Sequence, residues 1–430
     1  MLERLFRLDE NRTSVRIEVV AGATTYLTMA YVVFVNPLIL SGTGMDRGAV
    51  FVATCLASAF ATLLMALFAN YPLALAPGMG MNAYFAYTVV KGLHYSWQEV
   101  ALGAVFISGV LFLILSLTRV RSWIVDAIPL SQKMAISAGI GLFLGIIALK
   151  EAGIIVASPD TLVTLGNLKS PATLLACAGF IVMVALDRLA VPGAIIIAIL
   201  AAAITGILLG ISPFVGVIDT PPSLAPTFLA LDLRGAFDIG IATVVFVFLF
   251  VDLFDNTGTL VGVAHRAGLL DEHGKLPRIE RVFIADSIAA MVGALLGTST
   301  VTSYIESAAG VKAGGRTGLT GVAVAALFLL TLFFAPLAGS IAAYATAPAL
   351  LFVACLMARG FAELKWEDVT EYAPAVVTAL AMPLTFSIAN GIAFGFITYA
   401  AVKLLSGRFA EASPSMLVLA ALFIVKYAFF

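Results

Sequence analysis

Residues 244–260 read VVFVFLFVDLFDNTGTL, an unbroken apolar run that carries two carboxylic acids, Asp252 and Asp255, before any turn signal. The surrounding stretch, 238–263, exceeds the roughly 20 mainly apolar residues a helix needs to cross a bilayer. Carboxylates inside such a helix cost several kcal/mol in hydrocarbon, so each is read as functional until a structural reason for it is found.

Runs of the same kind fill the chain on both sides. Crossings are expected near 17–40, 49–69, 73–91, 98–118, 130–150, 171–188, 192–210, 238–263, 281–297, 299–314, 317–339, 342–361, 372–386 and 388–406. A last apolar stretch, 415–429, is about 15 residues long and suits either the interface or a crossing. Of the 430 residues, 61% are hydrophobic and 11% charged, with a mean hydropathy of +1.07. An ordinary soluble domain is roughly a quarter charged. The composition therefore leaves no water-soluble surface, and the expected fold class is an all-α integral membrane bundle.

The opening residues, MLERLFRLDENRTSVRIE at 1–18, are charged and mildly amphipathic, unlike a secretory signal, so the first span is expected to act as its own insertion signal. A net charge of −1 argues against a nucleic-acid surface. Cys55, Cys177 and Cys355 stand singly in apolar runs and read as small core residues, with neither disulfide nor metal-ligand spacing. Fourteen crossings with a cytoplasmic amino terminus place most Lys and Arg inside, among them Arg4, Arg7, Arg119, Arg121, Lys312 and Arg316. Only Arg47, Lys91, Lys150, Lys169 and Arg234 then lie outside.

Shifting the chain by 220 residues aligns FVNPLIL at 34–40 with FDNTGTL at 254–260, setting Asn36 on Asn256, and brings Tyr84 onto Tyr304. Seven spans per half is an odd number, so the halves would be inverted, a construction typical of secondary transporters. Two spans look interrupted: ALAPGMGMNAYF at 74–85 and GTSTVTSYIESAAG at 297–310. Their Gly, Pro and β-branched residues favour irregular or extended backbone, which survives in a membrane only when buried in protein or lining a cavity. These segments are the candidate chamber.

Asp252 and Asp255 lie three residues apart on one helical face, about a turn from Thr259, and Glu306 follows the second interruption. Burial would raise a carboxyl pKa towards neutrality, allowing proton uptake and release. Aromatic faces from Phe250, Phe254, Tyr84 or Tyr304 would suit a planar heterocycle. Asp286 reads as a structural acid bonded to Ser287 or a neighbouring helix. The Phe-rich run 244–250 reads as lipid-facing or packing surface. Glu18 lies near a span end, where interfacial solvation suffices. With no metal-ligand spacing, nucleophile–base pair or P-loop, neither an enzyme nor an ATP-driven pump is expected, and no cofactor is implied.

The segments AGATTYLTMAYVVFVNPLIL, APGMGMNAYFAY, FVDLFDNTGTL, GTSTVTSYIESAAGVKAGGRTGLT and PALLFVACLM together resemble the AzgA-type hypoxanthine/adenine/guanine permeases of the nucleobase-ascorbate transporter group. The resemblance implies 14 transmembrane segments in a 7+7 inverted repeat, with spans 3 and 10 each a short strand plus half-helix. It implies a core domain from 1–118 and 238–340, and a gate domain from 119–237 and 341–430. It also implies a multi-pass protein of the cell membrane and a homodimer through gate domains. By the same resemblance, a purine base would be held by Asp255 and Glu306, the latter in a Tyr304-Ile305-Glu306 motif, with Asn82 in the region facing it; Thr259, Asp252, Thr302 and Ser303 are further candidates for its surroundings. Glu306 or Asp255 would carry the symported proton. Uracil carriers have Glu followed by a His-containing stretch where this chain has Asp255, Thr257 and Thr259, a departure that fits the purine branch. The alternatives are a xanthine/uracil carrier and an anion carrier of the sulfate-permease type; the latter would want positive or neutral groups where the two acids stand.

Overall fold

Ser14, in extended backbone, accepts a hydrogen bond from the Ile17 amide and starts the first long helix. The structure, a computed structural model, describes residues 2–118, 128–233, 239–267 and 276–429. Within these, the side chains of 99, 100, 239, 240, 254, 255, 257, 258, 261, 262, 264–267 and 429 lie outside the description.

The first half runs α1 (Leu2–Phe6), α2 (Val15–Met29), α3 (Val32–Ser41), α4 (Arg47–Leu64), β1 (Leu75–Pro77), α5 (Met79–Ala83), α6 (Gly103–Leu117) and α7 (Leu130–Glu151). Next come β2 (Ile155–Ser158), β3 (Leu162–Leu165), α8 (Pro171–Arg188) and α9 (Ala194–Leu208). The second half runs α10 (Ile239–Ala267), α11 (Ile279–Leu296), β4 (Val301–Ser303), α12 (Ser307–Lys312), α13 (Gly318–Thr331), α14 (Ala335–Ser340), α15 (Ala343–Ala358), α16 (Val369–Leu384), α17 (Ile388–Leu405) and α18 (Pro414–Phe429). Among the described residues, seven helical stretches are long and apolar enough to cross a membrane. The chain divides into two units: Met1–Ile114 with Ala148–Phe352, and Leu115–Ile147 with Val353–Phe430.

In the first unit, β1 and β4 pair antiparallel, with Leu75 opposite Ser303, Ala76 opposite Thr302 and Pro77 opposite Val301. All six residues are buried. The pairing continues beyond the strands, because the Gly78 amide donates to the Thr300 carbonyl and the Tyr304 amide to the Ala74 carbonyl, both at 2.9 Å. Away from water every backbone polar group needs a partner, and side chains satisfy the outer edge. Thr62 Oγ1 accepts from the Leu75 amide (2.9 Å), and Ser307 Oγ accepts from the Ala74 amide (3.0 Å). A Cβ on Gly293 would lie 2.7 Å from Val301 Cγ2, so α11 touches β4 directly. Gly297 ends α11 at φ +93°, a left-handed conformation that a side chain would strain.

Tyr84 and Tyr304, which the 220-residue offset pairs, stand in different settings. Tyr304 directly follows β4, whereas Tyr84 lies past the end of α5, in the helix that follows β1. Residues 155–165, for which no strand was expected, form an exposed β2–β3 hairpin around Pro159 and Asp160. In the run 244–250, Val244, Val245, Val247, Phe248 and Phe250 are buried packing residues, while Phe246 and Leu249 are half-buried. Of the cysteines, only Cys55 is a core residue; Cys177 is half-buried and Cys355 exposed.

Glu18 is not an interfacial acid. It is fully buried on α2, and its carboxylate accepts from the Arg316 amide (2.9 Å), the Thr317 and Thr320 amides (3.2 Å each) and Thr320 Oγ1 (2.6 Å). It thus satisfies the donors that the start of α13 cannot pair within itself. Asn70, left-handed at the end of the α4 stretch, accepts from the Gly318 amide at 2.8 Å and completes the cap. Glu18→Ala is expected to destabilise the protein by about 2–4 kcal/mol, read as a lower thermal midpoint in detergent; an unchanged midpoint would contradict the cap.

In the second unit, α16 packs along α17 so closely that a Cβ on Gly395 would overlap Thr378 Oγ1. Lys403, fully buried on α17, is neutralised by Glu371 (2.6 Å) and Glu411 (2.5 Å) and donates to Thr370 Oγ1 (2.9 Å). Its neighbour Asp368 caps α16 through the Thr370 amide and meets Arg408 at 2.5 Å. The Thr370 hydroxyl, then the Arg408 guanidinium, hold the Asp368 carboxyl down at about 2, against about 3.9 in an unfolded chain. A depressed carboxyl contributes stability in full above its unfolded value and loses it as pH falls towards the folded one. Asp368→Asn should therefore have a lower thermal midpoint than the parent at pH 6, with the gap closing between about pH 4 and 2; a gap independent of pH would refute the assignment.

Candidate functional site

The strand pair gathers most of the candidate residues. Thr302 and Ser303 lie on β4, buried, and Tyr304 follows it. The Tyr304 hydroxyl donates back across the pair to the Pro77 carbonyl at 2.5 Å, pinning the exit of β4 to the exit of β1. Glu306, half-buried, is the residue from which α12 starts. Its Oε1 accepts a hydrogen bond from the Tyr31 hydroxyl at 2.8 Å.

α10 packs against β4, α12 and α5. It carries Asp252 (2% exposed), Asn256 (fully buried) and Thr259 (8% exposed). Asp255 belongs to the same helix, but its side chain, like that of Phe254, lies outside the described residues. Two of the rings expected to face a planar guest pack instead on other rings. Tyr84 sits edge-on to Phe248 at 5.0 Å, and Phe250 stacks on Phe246 at 4.9 Å.

Asn82, on α5, is engaged from its own unit: the Ser299 hydroxyl donates to its side-chain oxygen, tying α5 to the segment that leads into β4. Asp286 does not bond Ser287, whose hydroxyl donates to the Phe283 carbonyl at 2.7 Å. It accepts instead from Ser303 Oγ at 3.5 Å and so belongs to the surroundings of β4. Asn36, which the repeat singled out, donates to Thr54 Oγ1 (2.7 Å) and Thr298 Oγ1 (2.9 Å), linking α3, α4 and the approach to β4. Among the described residues, Thr300 Oγ1, Thr302 Oγ1 and both amide atoms of Asn256 are buried with no hydrogen-bond partner. Such groups are costly unless something polar satisfies them.

Sequence reasoning missed Tyr31 and Ser299. Tyr31 belongs to a polar series, Thr25, Thr28 and Tyr31, recurring every third residue in an apolar span. That spacing was the available signal, since it turns these side chains towards one partner. The partner is α12. A Cβ on Gly310 would lie 2.0 Å from Thr25 Oγ1 and 2.6 Å from the Ala21 carbonyl, so only a glycine lets α12 seat on α2. Gly310→Ala is expected to cost about 1–3 kcal/mol through overpacking, measured as a lower thermal midpoint; a neutral effect would show that α12 is not seated there.

The Xan_ur_permease profile, described as a permease family, matches residues 16–394. A protein named as a permease in Methanocaldococcus jannaschii is 54% identical over 429 residues, covering 100% of this chain and 98% of its own. The adenine permease AdeP of Escherichia coli K12 is 48% identical over 429 residues, covering 100% and 96%. The guanine/hypoxanthine permease PbuG of Bacillus subtilis is 46% identical over 440 residues, covering 100% of each. Among solved structures, the transmembrane domain of the cyanobacterial bicarbonate transporter BicA superposes with a TM-score of 0.65 at 16% identity, over 87% of this chain and 97% of its own. Murine Slc26a9, an anion transporter in the inward-facing state, gives 0.66 at 13% identity, over 92% and 68%. At such identities the likeness is one of fold.

Proposed function

The chain belongs to the permease family, and from that premise we propose that it imports purine nucleobases by proton symport, with Glu306 and Asp255 as ligands of the base. It is a multi-pass protein of the cell membrane and a transporter, not an enzyme. The observation that carries the proposal is Glu306, an acid placed beside paired strands in an apolar helical unit, with one carboxylate oxygen held by a phenol. A carboxylate in such surroundings accepts hydrogen bonds when ionised and donates one when protonated. A purine presents both donors and acceptors along a flat edge. The Thr302 hydroxyl and Asn256 amide, without a hydrogen-bond partner among the described residues, favour a polar guest, and relatives named for adenine or guanine/hypoxanthine favour a purine.

In this proposal the base lies between the exits of β1 and β4, with Asp252, Thr259, Ser303, Tyr304 and Asn82 forming or supporting the surrounding wall. Glu306 or Asp255 takes up the coupled proton. The fourteen crossings, the 7+7 inverted repeat with spans 3 and 10 as strand plus half-helix, the core and gate domains at the expected boundaries, the cytoplasmic amino terminus and a homodimer complete it. The antiparallel β1–β4 pair, with a helix starting beyond each strand, supports the repeat. Movement of core against gate would expose the site to either side.

Proteoliposomes carrying the protein are expected to accumulate radiolabelled adenine, hypoxanthine or guanine faster under an inward proton gradient. Uptake indifferent to the gradient would overturn the coupling, and competition by bicarbonate or sulfate would favour an anion carrier. Glu306→Gln is expected to lower uptake by about 10- to 100-fold, as the loss of a charged hydrogen-bond partner implies; parent-like uptake would remove Glu306 from the site.

A further inference from the structure

We propose that Tyr31 is the positioning residue of the Glu306 carboxylate, setting the direction in which that acid meets the transported base; this rests on the function proposed above. Tyr31 is 1% exposed and sits at the joint between α2 and α3, where the helix tightens as the Val33 amide donates to Ala30 and the Phe34 amide to Tyr31. A buried phenol needs a partner for its hydroxyl, and this one finds Glu306 Oε1 at 2.8 Å. The bond reaches from the first span to a residue 275 positions away.

Three contacts make α2 the frame against which Glu306 is set. Gly310 lets α12 approach Ala21 and Thr25. Gly315 packs against Ala21 in the same way. Glu18 caps α13 from the far end of α2. The backbone after Glu306 is thus tied to α2, while Tyr304 before it is tied to β1. At the side chain, the Tyr31 hydroxyl holds one carboxylate oxygen. A phenol both donates and accepts, so the same bond persists whether Glu306 is ionised or protonated, and the acid keeps its direction throughout a proton-coupled cycle. Preorganisation of this kind acts on affinity, because the ordering cost is met before the ligand arrives.

Tyr31→Phe keeps the ring and its packing but deletes the hydroxyl. In proteoliposome uptake it is expected to raise the KM for the base about tenfold. The maximal rate should change by less than about twofold, and the thermal midpoint of the ligand-free protein by less than about 2 °C. A KM equal to the parent's overturns the proposal. So does a loss confined to maximal rate that follows a lowered midpoint, which would make Tyr31 a packing residue. If the parent takes up no purine, the functional proposal fails and this one with it. If the parent transports and Glu306→Gln does not, while Tyr31→Phe matches the parent, the role of Tyr31 alone is refuted.

Discussion

A peptide group removed from water must find a hydrogen bond within the protein, and the first unit is arranged around the place where helices alone do not provide one. Between Ala74 and Gly78, and again between Thr300 and Tyr304, the backbone leaves helical geometry. The two stretches answer each other as an antiparallel pair. Thr62 and Ser307 then close the edge with hydroxyl groups. An interruption that would be prohibitive in either span separately becomes stable because both are interrupted side by side.

That pairing also explains why the neighbouring positions are small or polar. Gly293 lets α11 lie directly on β4, and Gly310 lets α12 lie on α2. Asn36, Thr298, Ser299 and Asn82 form bonds that hold the approaches to the strands. Polar groups of this sort are costly singly and stabilising when each finds its partner. Thr302 and Asn256, which find none among the described residues, lie on β4, just before Glu306, and on α10, beside Asp252.

Charge is treated the same way at the ends of the helices. Glu18 is buried because four donors of the α13 start converge on it. Lys403, in the second unit, is buried because Glu371 and Glu411 flank it. Ionised groups leave water only when such partners compensate them. These two cannot be told from solvated span-end residues by hydropathy, which scores a side chain without regard to what it meets.

Hydropathy and composition alone determined that the chain is a helical membrane protein, because the need for long apolar runs is imposed by the bilayer and written locally. The interruptions at 74–85 and 297–310 were legible for a similar reason: glycine, proline and β-branched residues disfavour helix wherever they occur. The acids Asp252 and Glu306 stood out by their cost in an apolar run. What only the tertiary structure decided were the partnerships: β1 with β4, Tyr31 with Glu306, Ser299 with Asn82, Ser303 with Asp286, Glu18 with the start of α13. Each joins residues far apart in the chain or turns on a rotamer, and hydrogen bonds depend on distances of a few ångströms that no one-dimensional pattern encodes.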